Sequence, residues 1–312
     1  MQAVLLCRHA RRSSARVGIA LVYHRVGGAG GDSTREILAS IPAPAFARQL
    51  EHLRRQYDVV PAANLFDAVR ARKPGERFPV AITFDDDMAG HLHAAMPALQ
   101  HAGVPATFFL GGYSLHGPHP FWWEDLQQAV DARLVESLPH VAAADLHAAL
   151  VREPKAIFRV AATIESLDSG RRNETAAALR AAVDGHVCDE GLRPGDVQAL
   201  VTAGFDVGFH TLGHEALPTL PDGRLEQALT DGREELAAVV GKPLELISYP
   251  HGKADERVGA AARAAGYTLG FTTRRSVMTA DTDPLLAPRM PPAPSAGKTA
   301  LRVARAVAGS AA

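Results

Sequence analysis

Phe78-Pro79-Val80-Ala81-Ile82-Thr83-Phe84-Asp85-Asp86-Asp87 decides the reading of this chain. A short run, apolar on both faces, ends abruptly in three carboxylates. Runs of that kind are strands buried on both sides, as in a parallel sheet covered by helices. Adjacent Asp85 and Asp86 would point to opposite faces of a regular strand. They converge on one site only if the strand ends there and the backbone turns, and Asp87-Met88-Ala89-Gly90 is consistent with such an end. Taken alone, the triplet reads equally well as a solvated acidic turn or a helix N-cap.

Working outward, further strand-like runs occur at Gly18–Tyr23, Thr107–Leu110, Phe205–Phe209, Leu246–Tyr249 and Leu269–Thr272. Helical patterns lie between them. Phe46, Leu50, Leu53 and Tyr57 recur at helical spacing, as do Leu225, Leu229, Leu236 and Val240. Ala102-Gly103, Ala203-Gly204 and Ala265-Gly266 each close a helical pattern before an apolar run restarts. Glycine suits the position just past a helix end. Alternating strands and helices predict an α/β fold, either a barrel or an open doubly wound sheet. Residues 121 to 193 break the rhythm and predict a helical insertion within one domain spanning 1–312. Residues 291–312 are Pro-rich and then Ala-rich, and predict a loose C-terminal tail.

Composition narrows the function. The chain has 312 residues, 47% of them hydrophobic, and a net charge of −1. No basic excess points to nucleic acid. No stretch approaches the ~20 apolar residues of a membrane span, and the run Val17 to Tyr23 is too short for a signal peptide and reads as a first strand. The two cysteines, Cys7 and Cys188, match no metal or disulfide pattern and read as unpaired thiols. A cytoplasmic location is the expectation. Among the 14 histidines, His52, His101, His140 and His147 sit in polar helical contexts and read as solvent-facing. His24, His210, His214 and His251 instead follow strand-like runs.

His210-Thr211-Leu212-Gly213-His214 places two imidazoles within reach of one point. Two imidazoles and a carboxylate can hold a divalent metal and leave a position for water. A second carboxylate can take a proton from that water.

These segments resemble the polysaccharide deacetylases, carbohydrate esterase family 4, with the NodB homology domain. Thr83 to Asp86 matches the first four residues of its T-F-D-D-G motif, and His210 to His214 matches H-[ST]-x-x-H. Tyr23-His24-Arg25 looks like the Y-H-R opening of members linked to surface-polysaccharide synthesis. Pro105-Ala106-Thr107-Phe108-Phe109 and Ser248-Tyr249-Pro250-His251-Gly252 are similar to two further family segments.

The resemblance implies a distorted or incomplete (β/α) barrel of the glycoside hydrolase/deacetylase type. It implies a hydrolase of N-acetylated sugars in a glycan or glycan precursor. Asp86, His210 and His214 would hold one divalent metal, zinc or else cobalt or nickel. Asp85 would be the base and His24 the acid, while Tyr249, Pro250 and His251 would line the acetyl pocket. The chain departs from the family in carrying Asp87 where glycine is usual. It also lacks an arginine before Tyr249-Pro250, for which Arg289 could substitute by orienting Asp85. No clear match to the fourth family motif is present. Two alternatives stay open: an amidohydrolase of the same fold acting on a non-sugar amide, and a non-catalytic glycan-binding relative. Tyr113, Trp122 and Trp123 could stack on sugars or pack a core.

Overall fold

The computed structural model describes residues 2–27, 35–117, 121–184, 191–293 and 295–310. Cys188 lies outside the described residues. Two compact units emerge: residues 1–27, 41–117 and 192–312 form the first, and 28–40 with 118–191 the second.

The first unit is built on a curled parallel sheet. Strands Val17–Tyr23, Pro79–Asp85, Thr107–Leu110, Asp206–Phe209, Leu246–Ser248 and Leu269–Phe271 are neighbours in that order. All five pairings between them are parallel. Each strand lies within a residue or two of its expected span. Arg289–Met290, not read as a strand from sequence, pairs parallel with Val17–Tyr23. Just before it, Ala287 bridges Phe271. The segment around Ala287–Met290 therefore links the last strand back to the first, which makes the sheet an incomplete (β/α) barrel.

Period-two alternation sorts the side chains. Val80, Ile82 and Phe84 face one hydrophobic cluster, packed with Phe46 and Leu50 from the helical layer and with Phe108 from the neighbouring strand. Ala20, Ala81, Phe109 and Phe271 belong to another. Thr83 and Asp85 share the face of Ala81. The three glycine punctuations adopt left-handed φ values of 62° (Gly103), 86° (Gly204) and 85° (Gly266), which other residues reach only with strain.

Two expectations change. The Leu225–Val240 pattern is two helices, Asp222–Thr230 and Arg233–Val240, broken at Gly232 with φ 77°. The terminal segment is not loose: Ala296–Gly309 is a helix capped by Ser295, with Val303, Ala304 and Val307 fully buried. Small residues at i, i+4 and i+8 let it lie close against the core, a packing role that an Ala-rich composition hides. His52, expected in solvent, is half-buried against Tyr57.

The second unit contains the helices Trp122–Asp131, Ala143–Leu150, Ala156–Ser166 and Ser169–Ala182. Leu126, Leu146, Ile157, Val160, Ile164 and Leu179 form its core, and Trp122 packs at the edge. Among the described residues, no helix is long and apolar enough to cross a membrane.

Candidate active site

The carboxyl ends of the parallel strands converge, as parallel registers demand. Tyr23 pairs with Phe84, Asp85 with Phe109, Leu110 with Phe209, and Ser248 with Phe271. The next residues on these strands include His24, Asp86, Gly111, His210 and Thr272. Strand ends of this kind are where α/β barrels carry their sites.

Asp85 is the last strand residue and is buried. Arg289 meets it in a two-point ion pair, Nη1 donating to Oδ1 at 2.7 Å and Nη2 to Oδ2 at 2.6 Å. Ser248 Oγ donates to Asp85 Oδ2 at 3.0 Å and accepts from Arg289 Nη2 at 2.7 Å. The guanidinium is itself fixed by Thr83 Oγ1 at 3.1 Å and by the Thr272 carbonyl at 3.3 Å, and it is fully buried. Burial alone would raise the pKa of Asp85. The Arg289 charge, helped by His210, overrides it and holds the carboxyl below the ordinary range. No arginine precedes Tyr249-Pro250; the one that pairs with Asp85 comes from a distant strand, and Ser248 bridges the two.

Asp86 turns away through a left-handed φ of 70°, which is how adjacent aspartates reach one site. Asp86, His210 and His214 each offer a ligand atom within 4.8 Å of the others. Asp86 Oδ1 stands 3.5 Å from the Nε2 of both histidines. That is long for a hydrogen bond. Two ligand atoms ~2.0–2.1 Å from one tetrahedral zinc would lie about 3.3 Å apart, so the donor set fits a small divalent ion. His210 Nδ1 lies 2.8 Å from the Ser248 carbonyl. Donation there leaves the Nε2 lone pair facing Asp86, the usual outer support of a metal-binding histidine. Thr211 and His214 take φ values of 61° and 43°, so a compact loop, not a helix, brings the two imidazoles together. Burial opposes ionisation of Asp86, and the two imidazoles more than reverse this, so its pKa is lowered. For His210 burial disfavours the charged form, but Asp85 and Asp86 raise its pKa.

His24 directly follows its strand, one residue beyond the Tyr23–Phe84 pair. His91, which the sequence reading passed over, lies 3.1 Å through Nε2 from the His24 carbonyl. Its ring sits 5.3 Å from that of Phe84 and 5.2 Å from that of Phe108. Burial drives the His91 pKa down to about 4, so the ring is neutral and donates to that carbonyl.

The Tyr249–Gly252 segment needs a correction. Tyr249 is fully buried and its hydroxyl donates to the Leu285 carbonyl at 2.7 Å. Ser248 points inward, so alternation turns Tyr249 out into the helical layer. Pro250 is buried too. The Tyr249 side chain therefore points away from the site. His251, at φ 57°, faces the site: its ring lies 4.6 Å from that of His214. The turn depends on Gly252 at φ 64°, where a Cβ would come within 2.1 Å of Thr273 Oγ1.

Asp87 does not need the left-handed conformation that a glycine would allow; Asp86 takes it instead. The Asp87 carboxylate accepts from the Gly111 amide at 2.6 Å and from the Ser114 amide and hydroxyl at 3.3 and 3.1 Å.

Known proteins agree with this architecture. A Streptococcus pyogenes deacetylase, PplD, solved in complex with acetate, superposes with a TM-score of 0.63 at 15% identity, covering 93% of this chain and 99% of its own. IcaB from Ammonifex degensii gives 0.57 at 18%, covering 95% and 98%. BC0361, a polysaccharide deacetylase from Bacillus cereus, gives 0.57 at 17%, covering 93% and 69%. At such identities the likeness establishes the fold alone. No curated protein shows significant similarity. The family model for polysaccharide deacetylase matches residues 72–140 and 159–270, more than half of the chain and inclusive of Asp85, Asp86, His210 and His214. By that match, the chain belongs to the polysaccharide deacetylase family.

Proposed function

We propose that the chain is a metal-dependent N-deacetylase acting on N-acetylated sugars of a glycan or glycan precursor, in surface or exopolysaccharide synthesis, with zinc as its metal. One observation carries this reading. A buried carboxylate kept ionised by Arg289 stands one residue from a separate Asp86/His210/His214 cluster. The two carboxylates thus have divided roles, one toward a proton and one toward an ion. Family membership, and the acetate complex of the similar S. pyogenes deacetylase, support the reaction class.

A divalent ion held by Asp86, His210 and His214 would supply Lewis acidity and a water of lowered pKa. Asp85 accepts the proton as water adds to the acetyl carbonyl carbon. Arg289 and Ser248 keep both its oxygens aimed and its charge in place. The turn at His251 presents backbone to the developing oxyanion, where a fixed N–H donor is worth most. His24 gives a proton to the amide nitrogen, because an amide nitrogen leaves poorly as an anion. The C–N bond then breaks, yielding acetate and a free amino sugar. The helical unit is an insertion within one catalytic domain, and the cytoplasm is the proposed location.

The test is acetate release from a panel of N-acetylated sugars and oligosaccharides, with zinc and with chelator. Chelator-sensitive release supports the proposal. Bound metal without release from any member would move the substrate to another amide.

A further inference from the structure

We infer that Asp87 is a positioning residue that locks the turn carrying Asp86 to the turn carrying His210 and His214, and so sets the geometry of the proposed metal site. The inference rests on that proposed reading but concerns a residue outside the ligand cluster.

Asp87 is fully buried. Its Oδ1 accepts the Gly111 amide at 2.6 Å, and its Oδ2 accepts the Ser114 amide at 3.3 Å and hydroxyl at 3.1 Å. Its backbone carbonyl accepts the Leu192 amide at 2.6 Å. Three acceptor atoms of one residue thus gather the loop after Thr107–Leu110 and the segment entering the Asp196–Thr202 helix. The contact then passes onward. A Cβ on Gly111 would stand 3.1 Å from the Thr211 carbonyl and 2.6 Å from Tyr113 Cε2. Gly111 therefore lies directly against Thr211, the left-handed residue between the two histidines.

The connection runs from Asp86 through its neighbour Asp87 to Gly111, and from Gly111 by contact to Thr211 between His210 and His214. A carboxyl group suits the first junction because two amide donors and a hydroxyl converge on its two oxygens. The glycine usual here in similar sequences could offer none of them. Partners one step behind metal ligands typically change affinity or activity by about 10–100-fold.

Cobalt(II) is titrated into metal-free wild type and into Asp87→Ala, Asp87→Gly, Asp87→Asn and Gly111→Ala, read by visible absorption and calorimetry. Circular dichroism and Tm of the metal-free forms report folding. The expected result is one bound ion per wild-type chain. Asp87→Ala and Asp87→Gly lose at least about tenfold in affinity, with kcat recovering as cobalt is raised. Asparagine keeps an acceptor for Gly111 and a donor for Ser114 Oγ but loses the acceptor for the Ser114 amide, so Asp87→Asn loses less affinity than Asp87→Ala. Gly111→Ala, which touches no ligand and leaves Asp87 intact, weakens binding by a similar tenfold through the displaced Thr211. Wild-type affinity in both Asp87→Gly and Gly111→Ala would overturn the inference while leaving the metal reading intact. A wild-type chain that binds no cobalt would overturn both.

Discussion

Arg289 grips Asp85 through both carboxylate oxygens, at 2.7 and 2.6 Å, across 204 residues of sequence and with neither side chain open to solvent. Breaking a buried pair by removing one partner leaves an uncompensated charge, typically costing about 3–5 kcal/mol. Arg289→Ala should therefore lower Tm by several degrees and nearly abolish acetate release. Arg289→Lys keeps the charge but loses the fork, so it should retain more stability than activity. A lysine variant with wild-type kcat would show that orientation of Asp85 is unimportant.

The proton given to the leaving nitrogen can be tested through the leaving group. His24→Ala should reduce kcat on an N-acetyl sugar by about 10²–10⁴. An activated acetyl ester, whose leaving group needs no proton, should lose less than about tenfold. Equal losses on both substrates would remove His24 from the acid role.

His91 makes acid stability measurable. Its folded pKa, pushed down to about 4 by burial, lies below the ordinary value of 6.5. Between those values the unfolded chain binds the extra proton. Stability is thus full above about pH 6.5 and falls as pH drops towards 4, by up to about 3 kcal/mol for a shift of this size. Denaturant melts of wild type and His91→Gln across pH 4–7 should show a flatter slope in the variant. Parallel slopes would refute the assignment.

The terminal helix contributes to the core. Val303→Ala removes two buried methyl groups and should destabilise by about 2 kcal/mol, transfer and cavity terms together. Arg305, exposed on the same helix, is the control: its change to alanine should stay within about 0.5 kcal/mol. Equal effects would mean that the helix is not docked as described.

The legible parts of this chain are those where local pattern and tertiary role coincide. Strands such as Pro79–Asp85, buried on both faces, carry an unbroken apolar signature, and polar residues just past their ends mark the rim. Asp85, Asp86, His210 and His214 are brought together there. Arg289 has no local signature, because its partner is set by the register of a two-residue strand against Val17–Tyr23. Its orienting contact was foreseen only as a substitute for a missing arginine. Tyr249 was misplaced for want of the alternation rule: once Ser248 points inward, Tyr249 points out. Asp87 was read as a disturbance of the turn, whereas its neighbour Asp86 takes the left-handed conformation. His91 carried no signal, since its contact with the His24 carbonyl arises only in the fold.

The proposed roles of Asp85 and of the Asp86/His210/His214 cluster separate in one experiment: metal-free wild type, Asp85→Asn and His214→Ala are given N-acetylated glucosamine oligomers, and acetate is measured before and after one equivalent of zinc. Wild type should release acetate only with zinc, Asp85→Asn should bind zinc with little release, and His214→Ala should show neither tight zinc binding nor release. Release by Asp85→Asn at the wild-type rate, or by wild type equally with and without zinc, would contradict these roles.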